Sequence, residues 1–385
     1  MVILSFNQKT PAFRILKTKL FLVAILLSLP VFVHAQLAFT TSGSVATITG
    51  FSGSGPVNIP STTNGFTVNT IASGAFSNLT AITSVTIPNT VTNMGSNTFY
   101  LCTSLTNITL GTGITNIGSA TFYACSNLAS VSIPDGVKNL GTLAFFSCTK
   151  MTNAALGSNV ISLGGSVFQN CSNLVSVTMS NKVTTIGTNA FYFCIRLTNV
   201  VLSTNLTSLG DAAFQSCTRL SSIVIPNSVV SLGTNAFFGC TNLTSLTLGT
   251  NLTSIGNGAF QLCVKLPAVA IPNSVTNLGT NAFLSCSNLL TVTGATNVLA
   301  IGLGAFQSCI SLTNVNLSTN LIRVGSSAFA NCLALRRIII PDSVVDLGTN
   351  SFSYCRTLSS LVLGTNLTTL GNVSNGLIIP AVIIA

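Results

Sequence analysis

Apolar and polar positions along this chain repeat every 23 residues. Phe76, Phe99, Phe122, Phe145, Phe168, Phe191, Phe214, Phe237, Phe260, Phe283, Phe306, Phe329 and Phe352 mark the steps without a slip. Counting from each Phe, position 3 is Cys in every unit but the first, which has Leu79. Position 6 is Leu, with Ile82 and Met151 as swaps. Aliphatic residues recur at positions 9 and 11, as Val85 and Ile87, and at positions 15 and 18, as Val229 and Leu232. Position 19 is Gly in every unit, from Gly95 to Gly371. Self-similarity at a fixed period of this size is the mark of a stacked array, in which each unit contacts only its neighbours.

The offsets predict elements. Positions 8 to 11 alternate polar and apolar, as in Ser84-Val85-Thr86-Ile87, which reads as a strand with one face inward. Pro88, Pro134, Pro226, Pro272 and Pro341 follow that strand, where a residue without an N–H suits the end of pairing. The recurrent Gly predicts either positive φ or close approach between coils. The Ala-Phe pair and the Cys lie opposite the strand, where a turn of helix is expected.

The consensus AFxxCxxLxxVxIPxSVxxLGxx resembles the BspA-type leucine-rich repeat, a bacterial class with 23-residue units. The resemblance spans residues 76–371 as thirteen repeats. The expected fold is therefore a repeat solenoid: a right-handed leucine-rich-repeat coil with one parallel β-sheet and short helical or turn segments on the opposite side. At ~4.8 Å per strand such an array is about 60 Å long before curvature. Residues 36–75, with Thr47-Ile48-Thr49-Gly50 and Val57-Asn58-Ile59-Pro60, read as an N-terminal cap, because the first coil must cover its apolar edge.

Two segments stand outside the repeat. Residues 1–35 carry Lys9, Arg14, Lys17 and Lys19, then an apolar run over residues 20–33, then Val33-His34-Ala35. This is the layout of a secretory signal cleaved after Ala35, and the run is shorter than the ~18 residues of a membrane span. Residues 372–385 end in the apolar GLIIPAVIIA, also too short to span. They are expected either to fold back as a closing strand or to mark a truncated piece of a longer protein.

Composition narrows the chemistry. Beyond residue 35 the chain has no His, Glu or Trp, and its acids are Asp135, Asp211, Asp342 and Asp346. Ten basic residues against these four acids leave +6, not the +10 of the whole chain. That charge is too sparse to argue for nucleic acid. A Ser-His-Asp arrangement is excluded, and no His or Glu is available as general base. No enzyme activity and no cofactor are expected. All twelve cysteines occupy position 3. Such a column holds neighbouring Cβ atoms ~4.8 Å apart, beyond the ~3.8 Å a disulfide prefers, and supplies no tetrahedral metal geometry. Buried free thiols are expected.

Three surfaces remain. Outward strand positions place Thr86, Thr109, Ser132, Ser176, Thr178, Ser245, Thr247, Asn314 and Asn316 on a concave sheet, the favoured ligand surface. Tyr100, Tyr123 and Phe146 follow the repeat Phe in three successive units and form an alternative aromatic ridge. Lys150, Arg196, Arg219 and Lys265 share position 5 and, with Arg336-Arg337 on the penultimate strand, form a weak basic stripe. The resemblance implies a secreted or cell-surface, non-enzymatic module for binding or adhesion to an extracellular protein or polysaccharide, with no membrane span in the mature chain. A passive spacer or coat protein, or the recognition fragment of a larger secreted enzyme, are the other readings.

Overall fold

The computed structural model describes residues 36–371 and 382–384; residues 1–35, read above as a secretory signal, and most of the apolar tail lie outside the described residues. Every coil contributes a short parallel strand at positions 8 to 10, as in Ile82–Thr86, Asn107–Thr109 and Ser130–Ser132. The register steps by one unit: Ser130 lies opposite Asn153, which lies opposite Ser176. Val131, Val177 and Ile223 point inward and are buried, as the alternation predicts.

The expectation of a single sheet is corrected. Each coil carries a second parallel strand at positions 17 and 18, as in Asn116–Ile117, Asn139–Leu140 and Ser162–Leu163. Its outward residue is polar in every coil but that of Ala300, and its inward residue is the apolar one at position 18, so it too alternates. Two isolated bridges, Leu209 to Leu232 and Ser231 to Ser254, carry this second ladder across its central junction.

The expected helical turn is corrected as well: the described residues contain no helix. Residues two before and two after the repeat Phe are left-handed, with φ of 57° at both Asn97 and Leu101 around Phe99. A helix needs consecutive right-handed residues, so it cannot propagate here. Tight turns replace it, with the Tyr100 amide donating to Asn97 O at 3.1 Å and the Cys102 amide to Phe99 O at 3.2 Å. The intervening amides run to the following coil. Asn97, Phe99 and Leu101 donate to Ser119, Thr121 and Tyr123 carbonyls at 2.8 to 2.9 Å. The third side of the coil is thus a hydrogen-bonded ladder of turns, and its backbone groups are satisfied without helix.

The core is a set of columns. Twelve of the repeat Phe rings, Phe76 to Phe329, are among the largest fully buried side chains, and Phe352 is buried too. Adjacent rings stack at 5.0 to 5.6 Å between centroids, the range in which aromatic pairs add stability beyond area burial. Phe51 begins the column, 5.6 Å from Phe76. The chain before Phe76 is already coiled, because Gly55–Asn58 pairs in parallel with Ile82–Thr86. An Asn64-Gly65 turn, both residues left-handed, folds Thr62–Thr63 back against Phe66–Ile71, as expected for a two-residue hairpin. Leu37 and Phe39 pack over the core at this end. At the other end, Val382–Ile384 pairs in parallel with Ser360–Leu363.

The invariant Gly is explained by close approach, not by conformation. None of the position-19 glycines has positive φ. At Gly210 a Cβ would lie 2.5 Å from the Thr188 amide nitrogen of the preceding coil. At some junctions a Pro coil followed by a Gly coil sits on top of the single repeat. Gly111 follows the coil bearing Pro88, and a Cβ there would meet Pro88 O at 2.2 Å; Gly157, Gly249 and Gly364 repeat this after Pro134, Pro226 and Pro341. In the same pairs Asn89 and Asp135 accept the amides of Thr112 and Ser158 at 2.9 and 2.7 Å.

Candidate functional site

The strand face carries the predicted residues in two exposed rows. Ser245 and Asn314 stand at position 8, and Thr86, Thr109, Ser132, Thr178, Thr247 and Asn316 at position 10, all exposed. Ser176 is partly covered, because its hydroxyl donates to Asn153 Oδ1 at 2.7 Å. The backbone ladder beneath holds each row at the strand spacing, so the hydroxyl and amide groups are presented without large reorganisation. Val201 and Val224 interrupt the position-10 row and are 73% and 61% exposed. They set an apolar step among hydroxyls on the same face.

The aromatic candidates do come together. Tyr100 and Tyr123 stack at 4.8 Å, and Tyr123 and Phe146 at 4.7 Å. All three are half-buried, because each ring covers its neighbour. From Gln169 onward Gln169, Gln215, Gln261 and Gln307 separate Tyr192, Phe238 and Leu284, so the column does not continue as an aromatic ridge. The basic stripe is tied to its own edge. Arg196 and Lys265 donate to Asn173 and Asn242 of the preceding coils at 3.0 and 2.6 Å.

All twelve cysteines are free and buried. They do more than fill space. Each thiol donates to the carbonyl of the Phe one coil back, from Cys102 to Phe76 O at 3.0 Å to Cys355 to Phe329 O at 3.0 Å. The Phe carbonyl also accepts the Cys amide of its own coil, as in Phe99 with Cys102 at 3.2 Å. Position 3 therefore asks for a small apolar side chain with one weak donor, which is what a thiol is. Leu79 serves in the first unit, where the preceding coil departs from the repeat.

Burial pushes Cys240 up to about 12 and likewise raises Cys125, Cys194, Cys217 and Cys263, whereas the hydrogen bond with Cys332 lowers Cys355 at the end of the column. A thiol that ionises late is a poor nucleophile. The sign for stability follows: a raised pKa leaves stability intact below the unfolded value and removes it as pH climbs toward the folded one. Each such thiol then costs about 1.4 kcal/mol per pH unit. The melting temperature should accordingly be flat to pH 9, the ordinary thiol value, and fall steeply between there and pH 12. At neutral pH the folded chain should resist alkylation, and denaturant without reductant should open all twelve thiols. An intact mass showing six bridges would contradict the thiol column.

Among the described residues, no group of three or more His, Cys, Asp or Glu side chains is placed to hold a metal ion. Nor do they contain a helix long and apolar enough to cross a membrane.

Two solved structures share the architecture. A leucine-rich repeat protein from Bacteroides ovatus is 27% identical, with a TM-score of 0.65 over 88% of this chain and 89% of its own. A leucine rich cell surface protein from Faecalibacterium prausnitzii is also 27% identical, with a TM-score of 0.51 over 86% of this chain and 96% of its own. No curated protein sequence matches. The family profile described as BspA type Leucine rich repeat region (6 copies) matches residues 51–175, 162–290 and 285–374. With its period, its strand register and its coil geometry all in agreement with that match, the chain belongs to the BspA-type leucine-rich repeat family.

Proposed function

We propose that this protein is an extracellular or cell-surface module that binds an extended protein or polysaccharide along its strand face and performs no catalysis. The observation that carries the reading is the pair of exposed hydroxyl and amide rows, Thr86 to Asn316, fixed on a backbone ladder. Side chains held this way lose little entropy on binding, and their regular step suits a polymer laid across several coils. Broad surfaces of stacked repeats are the usual binding faces of such arrays. The position outside the cell rests on the signal-like residues 1–35 and on the cell-surface relative from Faecalibacterium prausnitzii. Export with cleavage after Ala35 would leave Gln36 as the first residue.

The test is a pair of triple variants in solid-phase binding to a panel of extracellular proteins and polysaccharides, gelatin and xylan among them. Thr109→Lys, Ser132→Lys and Ser176→Lys together should abolish retention. Tyr100→Ser, Tyr123→Ser and Phe146→Ser together should leave it within about threefold, since half-buried rings that cover one another offer little free surface. Added salt should weaken binding modestly where hydroxyls and amides do the work. Loss in the aromatic variant alone, with both variants folded, would move the site to the ring column.

A further inference from the structure

Strand pairing of the first ladder lapses at three junctions among the described residues, and one of them, with both amides present, also lacks both flanking rungs. Elsewhere the amide at position 7 donates to the position-7 carbonyl one coil back, as Thr313 to Leu290 at 3.0 Å and Ser359 to Arg336 at 2.9 Å. The amide at position 11 donates to the position-10 carbonyl of the following coil at several junctions, as Ile340 to Val362 at 2.8 Å. Between residues 313–317 and 336–340 neither bond forms, and no strand pairing joins Asn314–Val315 to Arg337–Ile339. Among the described residues this is the one junction where both amides exist and both rungs are absent; the comparable gap before Pro267 has no N–H to give. The Arg336 and Leu317 amides and the Thr313 and Ile339 carbonyls are left facing the gap.

The gap is a groove of about 690 Å³ with a part-apolar floor. Val315 and Leu317 are partly exposed, whereas the matching Ile338 and Ile340 in the next coil are buried. Ile339 on the rim is 50% exposed. The groove also holds an exposed charge pair with no match on this face. Arg336 and Arg337 are the only charged residues at positions 7 to 10 in any unit. Among the described residues neither guanidinium makes a hydrogen bond to a side chain, and the ion pair present is Arg323 with Asp346 on the second ladder. Asp342 lines the groove, but its Oδ1 accepts the amide and the hydroxyl of Thr365 at 2.9 and 3.2 Å on the coil beyond.

We propose that this groove docks an extended acidic peptide segment of a partner protein. Its main chain would hydrogen-bond at the rim of the gap to the unpaired Arg336 amide and Thr313 carbonyl. Its carboxylates would meet the two guanidinium forks, which take carboxylates in bidentate fashion. Its apolar side chains would cover Leu317 and Ile339. The groove has no aromatic ring on which a sugar face could stack, which favours peptide over polysaccharide at this place. The inference rests on the strand face being the binding face, and narrows the partner there to a protein.

The test is fluorescence anisotropy of the full chain with a labelled peptide of eight residues alternating Glu and Val. Saturable binding is expected, weakened at least ~10-fold in R336Q/R337Q, as truncation of central charged contacts does. The two arginines are exposed, so the melting temperature should not move. A Lys-Val peptide should not bind, and a Glu-Pro peptide, which keeps the charge but cannot donate main-chain hydrogens at the prolines, should bind far more weakly. Failure of the Glu-Val peptide to saturate, unchanged binding in R336Q/R337Q, or equal binding by the Glu-Pro peptide or by an oligogalacturonate would each overturn the groove. If binding survives R336Q/R337Q but is lost in the Thr109, Ser132 and Ser176 triple variant, the strand face stands and the groove falls.

Discussion

Phe214→Ala should destabilise the array by about 3–5 kcal/mol, the range for emptying a large aromatic site that cannot collapse. Phe214 is fully buried and lies between two rings, 5.0 Å from Phe191 and 5.3 Å from Phe237. Removing it breaks two stacks and opens the column in mid-array. Phe352 has a described ring on one side only, Phe329 at 5.6 Å. Because stability in a solenoid is passed between neighbouring coils, Phe352→Ala should be milder and should fray the end. Thermal melts of the two variants measure the difference. Equal tolerance at both sites would contradict the stack.

Gly164→Ala should cost as much as overpacking usually does, ~1–3 kcal/mol, or more. A Cβ on Gly164 would sit 2.6 Å from the Thr142 amide nitrogen and 2.8 Å from Leu140 O, and backbone cannot turn aside as a side chain can. Its neighbour provides the control. A Cβ on Gly165 would come no closer than 3.4 Å to any atom, so Gly165→Ala should fall within about 0.5 kcal/mol of the parent. Denaturant midpoints of the two variants decide the matter. If both are neutral, the coils are not packed at backbone contact along this seam.

The repeat was legible because its columns are built from residues with narrow uses. Phe at every step, Cys three later and Gly nineteen later announce a stack before any coordinate is known. The outward strand rows were legible for the same reason, since period-two alternation names its own outer face. The turn ladder was not. Its left-handed positions are held by Leu101, Ala124, Phe193 and Tyr354 as readily as by Asn78 or Asn170, so no residue type marks them, and an Ala-Phe pair beside a Cys reads as helix. The second ladder was hidden by its length, two residues per coil with a single inward aliphatic. The Pro at the end of the strand was visible in five units. Why a Gly follows required knowing that the Pro carbonyl points where its Cβ would stand.

The open junction left the least trace. Leu312, Val315, Leu317 and Leu321 keep the apolar pattern of the repeat, and nothing in that pattern reports a missing rung. Only Arg336 and Arg337 mark the place, as two charges on a face that has no others.

The claim at the centre is that function resides on one face of the stack. The direct measurement is hydrogen exchange on the chain, free and saturated with a polymer it retains from the solid-phase panel. The account predicts new protection at positions 7 to 11 of several successive coils, stepping by 23 residues through segments such as Asn107–Thr109 and Ser130–Ser132. Protection confined to the turns around Tyr100, Tyr123 and Phe146, with the strand positions unchanged, would contradict it.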